Sequence, residues 1–266
     1  MADFNNYQNR TVDRAGSQAM IDEGLRSYML KVYNLMALGL VITGLAAYGL
    51  FSLATTSDPS AAAVLSNGAP AIVGKTMLTS FGVMLFTSPL KWVVMLAPLA
   101  AVFFLSFRIQ SMSVSAAQTT FWVYAGLVGA SLSSIFLVYT QDSIVQTFFV
   151  TAASFGALSL YGYTTKKSLS GLGSFLIMGV FGLIIASIVN IFLASSALAF
   201  AISAIGVLVF AGLTAYDTQK IKEMYFEGDD TMVAGRKAIM GALTLYLDFI
   251  NLFMFLLQFL GNRNNN

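Results

Sequence analysis

Two aspartates stand inside long apolar runs. Asp217 lies in Leu213-Thr-Ala-Tyr-Asp-Thr-Gln-Lys220, and Asp248 lies in Leu245-Tyr-Leu-Asp-Phe-Ile-Asn251. The other ten of the twelve acidic residues fall in the N-terminal tail, in loops or at segment ends. An ionised Asp at the centre of a membrane helix costs roughly 2.5–3.5 kcal/mol, so such a residue faces the bundle interior and takes a partner. Two carboxyls brought close together in a low dielectric do not both ionise; they share one proton and titrate as a unit. Acidification keeps that proton on the pair. Alkalinisation, or a cation, separates or neutralises the charges. The blander reading is that each Asp only hydrogen-bonds a neighbouring helix or pairs with a base.

The rest of the chemical inventory is narrow. Histidine and cysteine are both absent, which excludes disulfides, thiol nucleophiles and the zinc and haem ligand sets built on those residues. Any pH response near neutrality must therefore come from a carboxylate or a lysine. Polar residues share the helix faces of the two acids: Thr214 three before Asp217, Thr244 four before Asp248 and Asn251 three after it. Tyr216 and Tyr246 stand beside the acids in sequence. Arg108, at the end of an earlier apolar run, is a candidate counter-charge for the pair; its alternative is an ordinary interfacial anchor.

The elements that must position these residues are membrane helices. Hydrophobic residues make up 57% of the 266-residue chain and charged residues only 10%, against about 25% charged residues in soluble domains. Seven apolar stretches follow one another at approximately 32–53, 90–107, 117–139, 144–163, 172–194, 197–217 and 238–260. Each is close to the 20 or so residues that cross a bilayer. The second contains Pro98, which predicts a local kink. Between the first two runs, Met77–Phe86 is apolar but too short to span and reads as interfacial or re-entrant. The fold class is thus all-α, a polytopic seven-helix transmembrane bundle. It divides into a polar tail (1–27), the transmembrane domain (28–261) and a polar C-terminal tail (262–266). Within the first tail, Ile21–Lys31 fits either an amphipathic surface helix or a flexible segment.

Charge placement sets an orientation. Placing the N-terminus inside leaves eleven of the fourteen Lys and Arg residues on the cytoplasmic side, with Lys75, Lys91 and Arg263 opposite. Seven crossings then put the C-terminus outside, whereas a re-entrant last segment would return it to the inside. On this arrangement the sixth helix runs past Asp217 towards Lys220 and Lys222, and the seventh enters from the same side. Asp217 and Asp248 therefore fall at similar depth. Small residues four apart (Gly126 and Ala130, Ala152 and Gly156, Gly182 and Ala186, Ala211 and Ala215) predict close helix crossings. Asn190 reads as a hydrogen bond between packed helices. The net charge of +2, with bases at segment ends and no basic groove, argues against nucleic-acid binding.

Three segments carry a family resemblance. Thr244-Leu-Tyr-Leu-Asp-Phe-Ile-Asn-Leu-Phe253 resembles the last helix of the Bax inhibitor-1 family. Tyr216-Asp-Thr-Gln-Lys-Ile221 is similar to its sixth helix, and Gly24-Leu-Arg-Ser-Tyr-Met-Leu-Lys-Val-Tyr33 to the entry of the first helix in bacterial members. The resemblance implies a pH-sensitive calcium leak gated by Asp217 and Asp248, which would also bind calcium weakly, with Arg108 as a latch on the closed state. It further implies a multi-pass protein of the bacterial inner (plasma) membrane, with lipid, protons and calcium as partners and calcium as the transported ion. No enzymatic activity and no resident cofactor are expected. A regulatory role, docking on a membrane quality-control protease or another membrane protein through the N-terminal tail or the 218–236 loop, is the alternative. Two aspartates on adjacent helices also describe intramembrane aspartyl proteases, but Asp248 lacks the preceding Gly-x-Gly of those enzymes.

Overall fold

The structure, a computed structural model, describes the backbone of residues 3–65 and 68–264, with side chains described from residue 23 onward. The side chains of most of the N-terminal tail, and its docking role, lie outside the described residues. Nine α-helices make up most of the described chain, with three short strands between the first two. They are α1 (Asp3–Ala54), β1 (Thr55–Thr56), β2 (Ile72–Val73), β3 (Thr76–Leu78), α2 (Ser80–Phe86), α3 (Leu90–Arg108), α4 (Val114–Leu132), α5 (Ile135–Val138), α6 (Gln141–Thr164), α7 (Ser170–Leu193), α8 (Ser196–Glu223) and α9 (Thr231–Leu260). Seven segments are long and apolar enough to cross a membrane: α1 from Glu23, α3, α4, α6, α7, α8 and α9. The protein is an all-α polytopic membrane protein.

Helix starts are marked by side-chain caps that satisfy the otherwise orphaned first-turn N–H groups. Ser113 accepts from Ala116, Thr140 from Ser143, Ser195 from Leu198 and Asp230 from Val233. The start of α7 lacks a local cap, and a distant residue supplies one. The Gln219 side-chain oxygen accepts from Leu169 N–H (2.8 Å) while its amide donates to the Lys167 carbonyl (2.9 Å). Asn190, in the last turn of α7, fastens the connection to α8 rather than a packed helix face: its side-chain oxygen accepts from Ser195 N–H (3.0 Å) across the turn where Ala194 is left-handed. Helix α3 continues through Pro98.

The bundle is organised around α9, which packs against α1, α4, α6 and α8. The central window of α9 is 61% buried, against 11% for α3 and for α7, which lean on α4 and α8 respectively. Without a hydrophobic drive between helices in lipid, contact quality and small residues decide association. The close crossings are not mainly the predicted pairs. A methyl group on Gly162 would run into the Ala215 carbonyl, one on Gly129 into the Thr43 carbonyl, and one on Gly82 into the Ala54 carbonyl. Of the expected set, Ala215 takes part, whereas Gly126, Gly156 and Gly182 face open space.

The Met77–Phe86 segment becomes strand β3 and helix α2, tucked between α1 and α3. Strand β3 is the centre of an antiparallel sheet ordered β1-β3-β2. In the same loop Asp58 accepts from both the backbone and the hydroxyl of Ser60 (2.8 Å each), which holds its carboxyl below the usual carboxylate range. Helix α9 starts two turns earlier than the apolar pattern indicates, because Thr231, Gly235, Arg236 and Lys237 dilute the hydrophobic signal there. Its far end is fastened: Thr140 N–H donates to the Asn262 carbonyl (3.0 Å), Asn264 N–H to the Val138 carbonyl (2.9 Å), and the Asn264 side chain reaches three carbonyls at the end of α5. The last helix is thus continuous, and its C-terminal end meets the α5–α6 turn.

Candidate functional site: an aspartate pair inside the bundle

Helices α8 and α9 are antiparallel neighbours, and the chain between them is only seven residues long. That geometry brings the carboxyl groups of Asp217 and Asp248 against each other, close enough to interact directly. For two such carboxyls to bond, one must carry the proton, since an ionised carboxylate has only acceptors. Asp248 is 5% exposed and Asp217 is half-buried. One oxygen of Asp248, Oδ2, is buried and has no hydrogen-bond partner among the described residues. An unfilled acceptor in so dry a place suits a proton, a water or a cation.

The flanking polar residues take separate places. Thr214 is fully buried and donates to the Phe210 carbonyl of its own helix (2.8 Å). Asn251 donates to the Leu247 carbonyl (2.8 Å). Thr244 is half-buried one turn before Asp248. Tyr216 packs over Gly173 of α7 and lies under the Lys220 ammonium (5.9 Å to the ring). Tyr246 points away from the pair, bonds Thr43 at 2.6 Å and is packed edge-on by Phe121 and Tyr124.

Arg108 is not brought to the pair in this conformation. Its side chain is exposed at the end of α3, which packs on α4 and α2. The cation whose field reaches Asp217 is Lys220, one turn further along α8. A different arginine joins the α3–α4 turn to α9: the Arg236 Nε donates to the Met112 carbonyl (2.8 Å).

Two hydroxyl chains join the helices around this site, one beside Asp217 and one through Tyr246, and of their members only Tyr246 stands out in the sequence. Thr218, next to Asp217, donates to the Thr214 carbonyl (2.7 Å); Ser159 therefore donates to Thr218 (2.9 Å), and Tyr33 to Ser159 (2.6 Å). This chain joins α1, α6 and α8. Thr43 lies within bonding distance of the Gly39 and Ala125 carbonyls (3.0 and 2.9 Å), so Tyr246 donates to it, joining α9 to α1 and α4. The available signal was a hydroxyl isolated within an apolar helix at Thr43, Ser159 and Thr218. Among the described residues no cluster of three or more acidic side chains could hold a metal ion, so the pair offers two carboxylates and no closed cage.

Residues 25–265 match the family described as inhibitor of apoptosis-promoting Bax1. The chain belongs to the Bax inhibitor-1 family. Within it, the chain is 47% identical to an uncharacterized protein of Rickettsia prowazekii (96% of this chain, 98% of the relative) and 46% identical to one of Caulobacter vibrioides (98% of each). It is 45% identical to the inner membrane protein YbhL of Escherichia coli, over 90% of this chain and 93% of that one. The match to the Bax inhibitor-1 family covers every membrane helix described above, including both helices that carry the aspartates.

Proposed function

We propose that this protein is a pH-sensitive calcium leak in a bacterial inner membrane, with its N-terminus in the cytoplasm and the Asp217–Asp248 pair as its gate. The observation that carries the proposal is the approach of two carboxyls, one buried and one half-buried, between α8 and α9 inside an apolar bundle. With the proton shared, the pair presents at most one charge and draws α8 to α9. Removing the proton leaves two like charges that repel, and a divalent cation neutralises them. Calcium prefers six to eight oxygen ligands. Two aspartates with water and carbonyls bind it weakly, which suits an ion that must also leave. Calcium is cargo in this reading, and no resident cofactor is needed. The family membership and the YbhL name support the bacterial inner membrane; the distribution of Lys and Arg supports the orientation.

Catalysis is not part of the proposal. Helix α9 runs unbroken through Leu245, Tyr246 and Leu247, with no opening beside Asp248 for a substrate strand to enter. The test is calcium entry into dye-loaded liposomes containing the purified protein. Flux should rise as pH increases through the range in which the pair loses its proton. Asp217→Asn and Asp248→Asn should each remove that pH dependence and change flux about tenfold or more. A wild-type flux indifferent to pH and to both substitutions would refute the gate.

A further inference from the structure

Helices α1 and α6 leave a furrow between them instead of packing along their length. Its inner half has a volume of 670 Å³ and is lined from Arg26 to Ala37 on α1 and from Ala152 to Tyr163 on α6. Its outer half, 610 Å³, continues from Ala37 to Ala47, and Phe249 of α9 floors both. Arg26 to Ala37 is about 16 Å of helix, close to the thickness of one leaflet's acyl region, about 15 Å. The walls are almost wholly apolar. Gly156 widens the inner half, with nothing near where its side chain would be.

The inner mouth carries two basic side chains, with the exposed Glu23 one turn before the first. Arg26 is exposed there, and among the described residues the Lys237–Asp229 bridge is the only ion pair. At the same end, the Lys222 ammonium donates to the carbonyl of Tyr163, a lining residue (2.7 Å), and keeps two N–H donors for another group. Below them, Tyr33 spends its proton on Ser159 and leaves a phenolic acceptor at the furrow wall.

We propose that this furrow is a binding site for an anionic phospholipid. Its phosphate sits between Arg26 and Lys222, and one acyl chain lies along the inner half between α1 and α6. The occupant is a lipid because an apolar trough one leaflet long opens at basic side chains on its inner end. A single acyl chain matches both the length and the apolar walls, and the paired cations select a headgroup with net negative charge. The site stands apart from the leak and does not depend on it.

Native mass spectrometry of the intact protein, titrated with palmitoyl-oleoyl phosphatidylglycerol, phosphatidylcholine or inorganic phosphate, tests the assignment. One phosphatidylglycerol should be retained in preference to phosphatidylcholine, and inorganic phosphate should not displace it. Arg26→Gln should weaken retention about fivefold. Gly156→Phe, whose Cβ has open space and whose ring fills the inner half, should abolish it, while Gly182→Phe on the open face of α7 should leave it intact. Equal retention of the two lipids, survival of binding in Gly156→Phe, or displacement by phosphate alone would overturn the proposal.

Discussion

At the scale of single residues, Thr43 is the polar centre of the bundle. One hydroxyl on α1 meets a carbonyl of α4 and the phenol of Tyr246 on α9. Hydrogen bonds between membrane helices are worth about 0.6 kcal/mol on average, rising to about 1.7, and stranding a buried partner adds to the loss. Thr43→Val should therefore destabilise the protein by about 1–2 kcal/mol in reversible unfolding from mixed micelles. Tyr246→Phe should cost a similar amount. The double variant should cost clearly less than the two together, because the second substitution removes a group that the first had already orphaned. None of this was legible in the sequence, where Thr43 is one hydroxyl among apolar residues and its partners lie 82 and 203 positions away. The aspartates were legible for the opposite reason. A carboxyl in hydrocarbon is so costly that its presence alone points to a partner, and few candidates exist.

At the scale of elements, glycines mark where backbones touch, but spacing does not say which glycines. Gly162 and Ala215 form the α6–α8 crossing although neither was paired with the other in sequence. Gly182 belongs to a small-residue pair yet faces open space. Gly162→Ala should thus cost about 1–3 kcal/mol by overpacking, measured in the same unfolding assay. Gly182→Ala should be neutral or stabilise by up to about 1 kcal/mol, since alanine is the better helix former. Helix number and approximate limits were readable because apolar length is a strong signal in a membrane chain. The errors fall where polar residues continue a helix, as at Thr231–Lys237, and where strands of two or three residues leave no periodicity to detect.

At the scale of the whole molecule, the charge asymmetry that orients the chain can be tested directly because cysteine is absent. Ala61→Cys lies exposed in the loop between α1 and α2, and Lys166→Cys lies exposed between α6 and α7. A maleimide that cannot cross membranes should label the first in intact spheroplasts and the second only after lysis. The reverse pattern would invert the proposed orientation and assign the Arg26 mouth to the other leaflet.

The fastening of α9 at both ends bears on how the bundle could open. Asn262 and Asn264 hold its outer end to the α5–α6 turn. At the other end Arg236 grips the α3–α4 turn, and Lys237 bonds Asp229 and the Met224 carbonyl. A rod pinned at both ends does not slide along its axis. On the proposed gate, Asp248 would then be the stationary half of the pair. Helix α7 leans almost wholly on α8, and α8 is tied to α6 by Ser159–Thr218, Lys222–Tyr163 and the Gly162–Ala215 crossing, so a displaced Asp217 would carry α6, α7 and α8 with it.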